Sequence, residues 1–243
     1  MTSEQYDKIA EEYSKAFGPT KLYVIIPTFK ENAGNVNNKS VLDLGSGSGI
    51  FTRILAEQKP KEIIGVDISK EMVKIAEDEE DKKPLGIKYI CEDVCALNLA
   101  KKFDVITAVY LLNYSKTKEE LLRMCRVVGE HLKDDGRFFV ITLNPALKPM
   151  KEFEYGRRFY NVNGKDTFED GDQVKYVGSK SFDFLSYYYS KDTYEDCLRK
   201  AGFKTIKWID MKVSKEGIEI FGDKYWDKLK TNSSPICLLC TKN

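Results

Sequence analysis

From about Ser40 onward, short contiguous apolar runs (SVLDL, EIIGVD, IKYIC, FDVITAV and RFFVITL) alternate with longer amphipathic stretches. Successive side chains of a strand point to opposite faces, so a strand apolar at every position must be buried on both. Strands of that kind, joined by segments of helical length, make a parallel sheet covered by helices. Thr117 and Glu120 form a capping box. Leu121, Leu122, Cys125 and Val128 then continue at helical spacing to His131, where DDG predicts a stop. A chain of 243 residues suits one such domain with insertions, so residues 1–243 are expected to be a single domain.

Three regions fall outside the alternation. At the N-terminus, Tyr6, Ile9, Ala10, Tyr13 and Phe17 share one face of a predicted helix that Thr2 and Gln5 would open as a capping box. This helix, within residues 1–20, must pack on something. Residues 144–189 form an aromatic-rich insertion after the fifth strand, punctuated by Pro145, Pro149, Gly156, Gly164, Gly171 and Gly178. It is too long for a connecting loop, and its aromatics argue against disorder. Finally, Phe203 to Lys212 and Pro235 to Thr241 read as two strands with no helix of crossover length between them. An antiparallel, hairpin-like edge is expected there.

The 39 Lys and Arg nearly balance the 38 Asp and Glu, which disfavours nucleic acid as a partner. No apolar run approaches the ~20 residues that cross a bilayer, and the polar, acidic start MTSEQYDKIAEEY is unlike a signal. A soluble, cytoplasmic protein is expected. Six scattered cysteines read as reduced and mostly buried, and the odd offset in ICLLC points Cys237 and Cys240 to opposite faces of a strand. With His131 the only histidine, no metal site is expected.

The first strand runs into Asp43-Leu44-Gly45-Ser46-Gly47-Ser48-Gly49, and a helix follows at Ile50. A glycine turn therefore lies at the carboxyl edge of the sheet, where open α/β sheets bind ligands, unless it is only a tight strand-to-helix turn. The pattern G-x-G-x-G departs from the dinucleotide fingerprint, because Ile50 stands where a third small residue belongs. Asp43, two residues before the first glycine, would oppose a pyrophosphate and suits an ammonium. Asp67 ends EIIGVD about twenty residues past the loop, where an acid takes both hydroxyls of a ribose. The alternative is a cap for the SKEMVKIAE helix, a role Ser69 already fills. Asp93, in Glu92-Asp93-Val94 after the third strand, reads either as an acceptor for an adenine amino group or as a solvated loop charge.

VLDLGSGSG, GVDIS, the acid after the third strand, AVYLLNY and LRKAGF together resemble class I S-adenosylmethionine-dependent methyltransferases, over nearly the whole chain. The resemblance implies an α/β fold: a seven-stranded doubly wound sheet, mostly parallel with a C-terminal antiparallel hairpin. It implies S-adenosylmethionine as cofactor, with Asp43 near the methionine amino group and Gly45, Ser46 and Gly47 under the ligand. Asp67 would hold the ribose, Ile68 and Met72 would lie against adenine, Asp93 and Val94 at its edge, and Val109 beside the methionine. The YDKIAEEY helix and the aromatic cap insertion are similar to those of the small-molecule branch, the ubiquinone/menaquinone-type and toxoflavin-type enzymes. Its relatives often carry a histidine shortly after the fourth strand, where this chain has Leu112 or Asn113.

The expected reaction is in-line methyl transfer to a small-molecule acceptor, which needs alignment and exclusion of water more than a fixed base. Tyr6 and Tyr13 either close over the methionine end or simply pack. Tyr110, Tyr114 and Tyr188 are candidates for handling a proton, whereas His131 is expected to lie at the far edge of the sheet. An RNA methyltransferase and a cofactor-binding module without turnover are the alternatives. Neither a monomer nor a homodimer is favoured.

Overall fold

The computed structural model describes residues 4–7, 10–15, 17–178 and 183–243, leaving out the side chains of Gln5 and Tyr13. The described residues begin with two helical stretches, α1 (Glu4–Asp7) and α2 (Ala10–Ser14). From residue 19 a helical stretch runs through a π-helical turn, Lys21–Ile25, into α3 (Ile26–Asn32). The wide turn lets Ile26 donate to the Lys21 carbonyl just before Pro27, which has no amide to give.

Next come β1 (Ser40–Leu44), α4 (Ile50–Ala56), β2 (Glu62–Asp67), α5 (Lys70–Lys82), β3 (Ile87–Cys91), β4 (Phe103–Val109), α6 (Lys118–His131) and β5 (Leu132–Leu143). A meander follows, β6 (Arg157–Asn161), β7 (Gln173–Gly178) and β8 (Asp183–Tyr187). The chain ends with α7 (Lys191–Lys200), β9 (Thr205–Ile209), α8 (Lys215–Phe221), α9 (Asp227–Thr231) and β10 (Pro235–Thr241).

Seven strands form the main sheet in the order β3-β2-β1-β4-β5-β10-β9, parallel except that β10 runs antiparallel to both neighbours. Strand order reverses between β1 and β4, so the loops after these strands open a crevice at their carboxyl ends. Alternation along the strands divides the core. Leu42, Leu44, Ile106, Ala108, Phe138 and Val140 face α6 and α7, while Val41, Val105, Phe139 and Ile141 face α3, α4 and α5. Cys237 and Cys240 fall on opposite faces, as their offset requires. Thr117 caps α6 by accepting from the Glu120 amide. The Glu120 carboxylate accepts from the Lys116 amide, one residue before the cap.

Several expectations need correction. At the N-terminus residues 4–7 and 10–14 are helical, Lys8 and Ile9 between them lying outside the described residues, and Phe17 is 46% exposed instead of joining a buried face. Thr2 and Ile9 lie outside the described residues, as do the cap residues Lys180 and Phe182. α6 ends at His131 as expected, but β5 already starts at Leu132 and so contains DDG, which a register shift against β4 absorbs. The link between β9 and β10 contains α8 and α9, although neither has crossover length. Cys91 is exposed. Among the described residues no helix is long and apolar enough to cross a membrane, and no group of His, Cys, Asp and Glu could hold a metal ion.

The aromatic insertion forms its own antiparallel sheet, β6-β7-β8. Leu147, Met150, Phe159 and Val174 pack beneath it on Leu143, the last residue of β5. Tyr176 and Phe184 stack across β7 and β8 with ring centroids 4.3 Å apart. The insertion is thus a folded layer over the end of the main sheet.

Candidate functional site

The loop after β1 is tied to β2 through its backbone. Gly47 donates its amide to one oxygen of Asp67 at 2.8 Å, and Ser69 donates to the other at 2.9 Å. Ser69 also caps α5 and donates its hydroxyl to Asp7 of α1 at 2.6 Å, which brings the N-terminal segment against this edge of the sheet. Burial pushes the Asp67 carboxyl above the ordinary range, although these amides pull it back. Gly45, at φ 66, sits where an added Cβ would be 3.2 Å from the Leu111 side chain, so this backbone is bare by necessity.

Asp43 is sealed at 1% exposure. Its two oxygens accept from Thr52 of α4 at 2.6 Å and from Thr107 of β4 at 2.7 Å. No cation pairs with it among the described residues, and burial raises its carboxyl from 3.8 to about 6. It stands in the same alternation as Val41, so it lies behind the glycine loop and lines neither space described below.

Two spaces meet at Gly45. The smaller is a slot of about 20 Å³ lined by Gly45, Asp67, Ile68, Asp93, Val94, Leu111 and Met124. Asp93 also accepts from the Cys95 amide and so caps the short helical turn that presents Val94. Five of the residues singled out from the sequence, Gly45, Asp67, Ile68, Asp93 and Val94, thus converge here. Met72 does not line the slot: it is 1% exposed, in a cluster with Tyr6 and Tyr114. The slot has room for about one water, so a planar ring enters only when the Leu111 and Met124 side chains give way.

The larger space is a cleft of about 180 Å³ beyond the glycine loop. Its floor is Gly45 to Ser48 with Val109 and Tyr110, and its roof is the aromatic side of β6-β7-β8. Tyr110 follows β4 with φ 56, a left-handed conformation costing a non-glycine residue about 1–2 kcal/mol. The Tyr110 amide donates to the Ile141 carbonyl at 2.7 Å, which holds the turn, and burial pushes its phenol up to about 12. Asn113, close to where related chains carry histidine, also lines the cleft, while Leu112 is buried in the core.

The other tyrosines are elsewhere. Tyr6 donates its hydroxyl to that of Tyr114, and both pack with Phe184. Tyr188 donates to the Pro145 carbonyl at 2.5 Å and stacks on Phe168. The backbone of Tyr13 lies in α2, and its side chain is outside the description. His131 is 5% exposed. Its Nδ1 lies 2.7 Å from the Val127 carbonyl and its Nε2 accepts from the Leu99 amide at 2.9 Å, so both ring nitrogens are engaged far from the cleft.

The lining residues not singled out as site residues in the sequence include Lys21, Ser186 and Arg157. Arg157, at the start of β6, is 9% exposed, and its buried Nε has no hydrogen-bond partner. Only the crowding of aromatics around GRRFY hinted at it, and a charge beside aromatics in sequence is no evidence of burial.

A methyltransferase domain family model matches residues 18–207. The chain is 28% identical over 149 residues, 59% of its length, to the ubiquinone biosynthesis O-methyltransferase of Coxiella burnetii, and the match spans 62% of that relative. The methyltransferase CcbJ of Streptomyces caelestis superposes with a TM-score of 0.70 at 18% identity, covering 99% of each chain. An S-adenosylmethionine-dependent methyltransferase of Mesorhizobium loti gives 0.66 at 18% identity, covering 88% of this chain and 95% of its own.

Proposed function

The chain belongs to the methyltransferase domain family, and on that premise we propose that it transfers a methyl group from S-adenosylmethionine to a small molecule. The observation carrying this reading is the pair of spaces joined at Gly45, an acid-flanked slot and an aromatic cleft at the switch point of the sheet. A ligand with a nucleoside at one end and an amino acid at the other suits that layout. Asp67 takes the ribose hydroxyls, Asp93 and Val94 meet the adenine edge, and Ile68 lies against the ring with Met72 behind it. Gly45, Ser46 and Gly47 run beneath, Val109 flanks the methionine, and Lys21 faces its carboxylate. Asp43 attracts the ammonium through the loop without touching it. Residues 1–20, with Tyr6 and Tyr13, act as the cover and residues 144–189 as the cap of one domain.

When bound, the cofactor supplies a methyl group on a positively charged sulfur. The residues of this chain align the acceptor and exclude water. Tyr110 is the cleft tyrosine nearest Val109 in the chain, and its raised phenol makes it an orienting donor rather than a base.

Calorimetry tests the reading. S-adenosylmethionine and S-adenosylhomocysteine are expected to bind at roughly micromolar Kd. Asp67→Ala weakens both alike, because ribose contacts do not distinguish them. No binding of either overturns the reading. Labelled cofactor incubated with a metabolite extract then identifies the acceptor.

A further inference from the structure

The cleft is lined by two cations, Lys21 and Arg157, and by no carboxylate among the described residues. Its neighbouring acids are set apart: Asp67 and Asp93 in the slot, Asp43 behind the loop. The lining of the cleft therefore carries basic side chains and no acidic one among the described residues. The cofactor of the proposed reaction adds positive charge, since its ammonium and sulfonium outnumber its one carboxylate. Lys21, which lines the same cleft as Ser46 to Ser48, is the residue proposed above to face that carboxylate.

Arg157 belongs to the cap instead. Burial lowers its tendency to hold a proton, an effect only partly offset by Tyr110, Tyr176, Tyr155 and Glu154. None of these is within ion-pair distance of it, and the Glu154 carboxylate lies 3.7 Å from Lys228 instead. The Arg157 guanidinium stands 5.8 Å from the Phe159 ring centre; Phe159 meets Tyr176 edge-to-face and Tyr176 stacks on Phe184, so a cluster of three aromatic rings lies beside it. A buried guanidinium stays charged, and leaving it without a partner costs several kcal/mol unless a ligand completes it.

Building on the methyltransferase reading, we propose that the acceptor is a planar aromatic carboxylate whose charge pairs with Arg157 and whose ring lies against Phe159, Tyr176 and Phe184. The carboxylate would be held by the forked donors of Arg157, leaving the opposite side of the ring toward Val109 and Tyr110. Ser186, 1% exposed and lining the same cleft, offers a second donor from β8.

The probes are benzoate and its neutral isostere benzamide, titrated by ligand-observed NMR into protein saturated with S-adenosylhomocysteine. Benzoate is expected to bind at least about tenfold more tightly than benzamide, the usual worth of a charge-assisted pair. Arg157→Gln should erase that preference and Arg157→Lys keep part of it, with S-adenosylhomocysteine affinity within about threefold of wild type in both. Equal binding of the two probes, or binding of neither, overturns the proposal. So does a tenfold loss of S-adenosylhomocysteine affinity in Arg157→Gln, which would assign the guanidinium to the methionine carboxylate. Because the wild-type comparison stands by itself, a variant that fails to fold leaves the test decisive. Wild-type protein that does not bind S-adenosylhomocysteine overturns the methyltransferase reading itself, a result distinct from binding it without preferring benzoate.

Discussion

Replacing Asp43 by Asn should make the ligand-free protein more stable at neutral and higher pH, although Asp43 stands beneath the proposed cofactor. The side chain is sealed at 1% exposure and receives two hydroxyl hydrogen bonds but no cation. Burial raises its carboxyl from 3.8 to about 6. Below pH 4 the folded and unfolded chains both hold the proton, and the charge costs nothing. Between about pH 4 and 6 the folded chain retains a proton that the unfolded chain releases, so wild-type stability falls as pH rises. Above 6 both are ionised and the full cost is present, about 3 kcal/mol for a shift of roughly two pH units. Asn fills the same volume, and the Thr52 and Thr107 hydroxyls can rotate so that one donates to its oxygen while the other accepts from its nitrogen. Urea unfolding of ligand-free Asp43→Asn should therefore show a gain approaching 3 kcal/mol at pH 8, roughly 6–12 °C in Tm, that vanishes at pH 4. S-adenosylhomocysteine affinity should fall about tenfold over the same change, for loss of one charge attraction of about 1.4 kcal/mol. A variant no more stable than wild type at pH 8, or equally stabilised at pH 4, would refute the account of Asp43 as an unpaired buried charge.

Gly65→Ala puts a Cβ 2.7 Å from the Tyr89 ring and 3.1 Å from Ser46 Cβ, and should lower stability by about 1–3 kcal/mol; wild-type stability in urea would contradict the tight packing behind the loop. Tyr110→Phe should slow label transfer from the cofactor into a metabolite extract by about 10²-fold with S-adenosylhomocysteine affinity retained. Tyr188→Phe, whose hydroxyl bonds the Pro145 carbonyl outside the cleft, should cost only about 1 kcal/mol of stability and leave transfer intact; the reverse order would move the chemistry to the far side of the cap. Amide exchange in α1 and at the start of α5 should slow on saturation with S-adenosylhomocysteine, because Asp7 bonds Ser69 beside Asp67, and unchanged exchange would reduce the N-terminal segment to packing.

Much of this architecture could be read in the residues because it rests on local rules. A strand apolar at each position has one home, between two layers of helices, and β1, β2, β4 and the second half of β5 obey that rule, whereas β3, at the sheet edge, exposes Lys88 and Cys91. Thr117 and Ser69 announce their helices by side-chain chemistry that needs no distant partner. The residues of the slot were legible for a related reason: loops at the carboxyl ends of adjacent parallel strands must be neighbours, so Gly45, Asp67 and Asp93 converge wherever those strands pair. Burial of Asp43 was also within reach, since it shares the alternation of Val41.

The sequence by itself therefore determined the sheet, its helical cover and the acid-flanked glycine edge, all consequences of short-range periodicity and turn chemistry. Only the tertiary structure separated the three candidate tyrosines, which look alike in sequence. Tyr110 is turned into the cleft by a left-handed backbone, Tyr114 is tied to Tyr6 and Tyr188 to Pro145. It likewise decided that Arg157 Nε is buried without a hydrogen-bond partner, while its neighbour Arg158 donates to the Met150 carbonyl. Those outcomes depend on how a separate three-stranded sheet settles over the end of the main one. Contacts of that kind join residues far apart in the chain through shape and desolvation, and no local pattern encodes them.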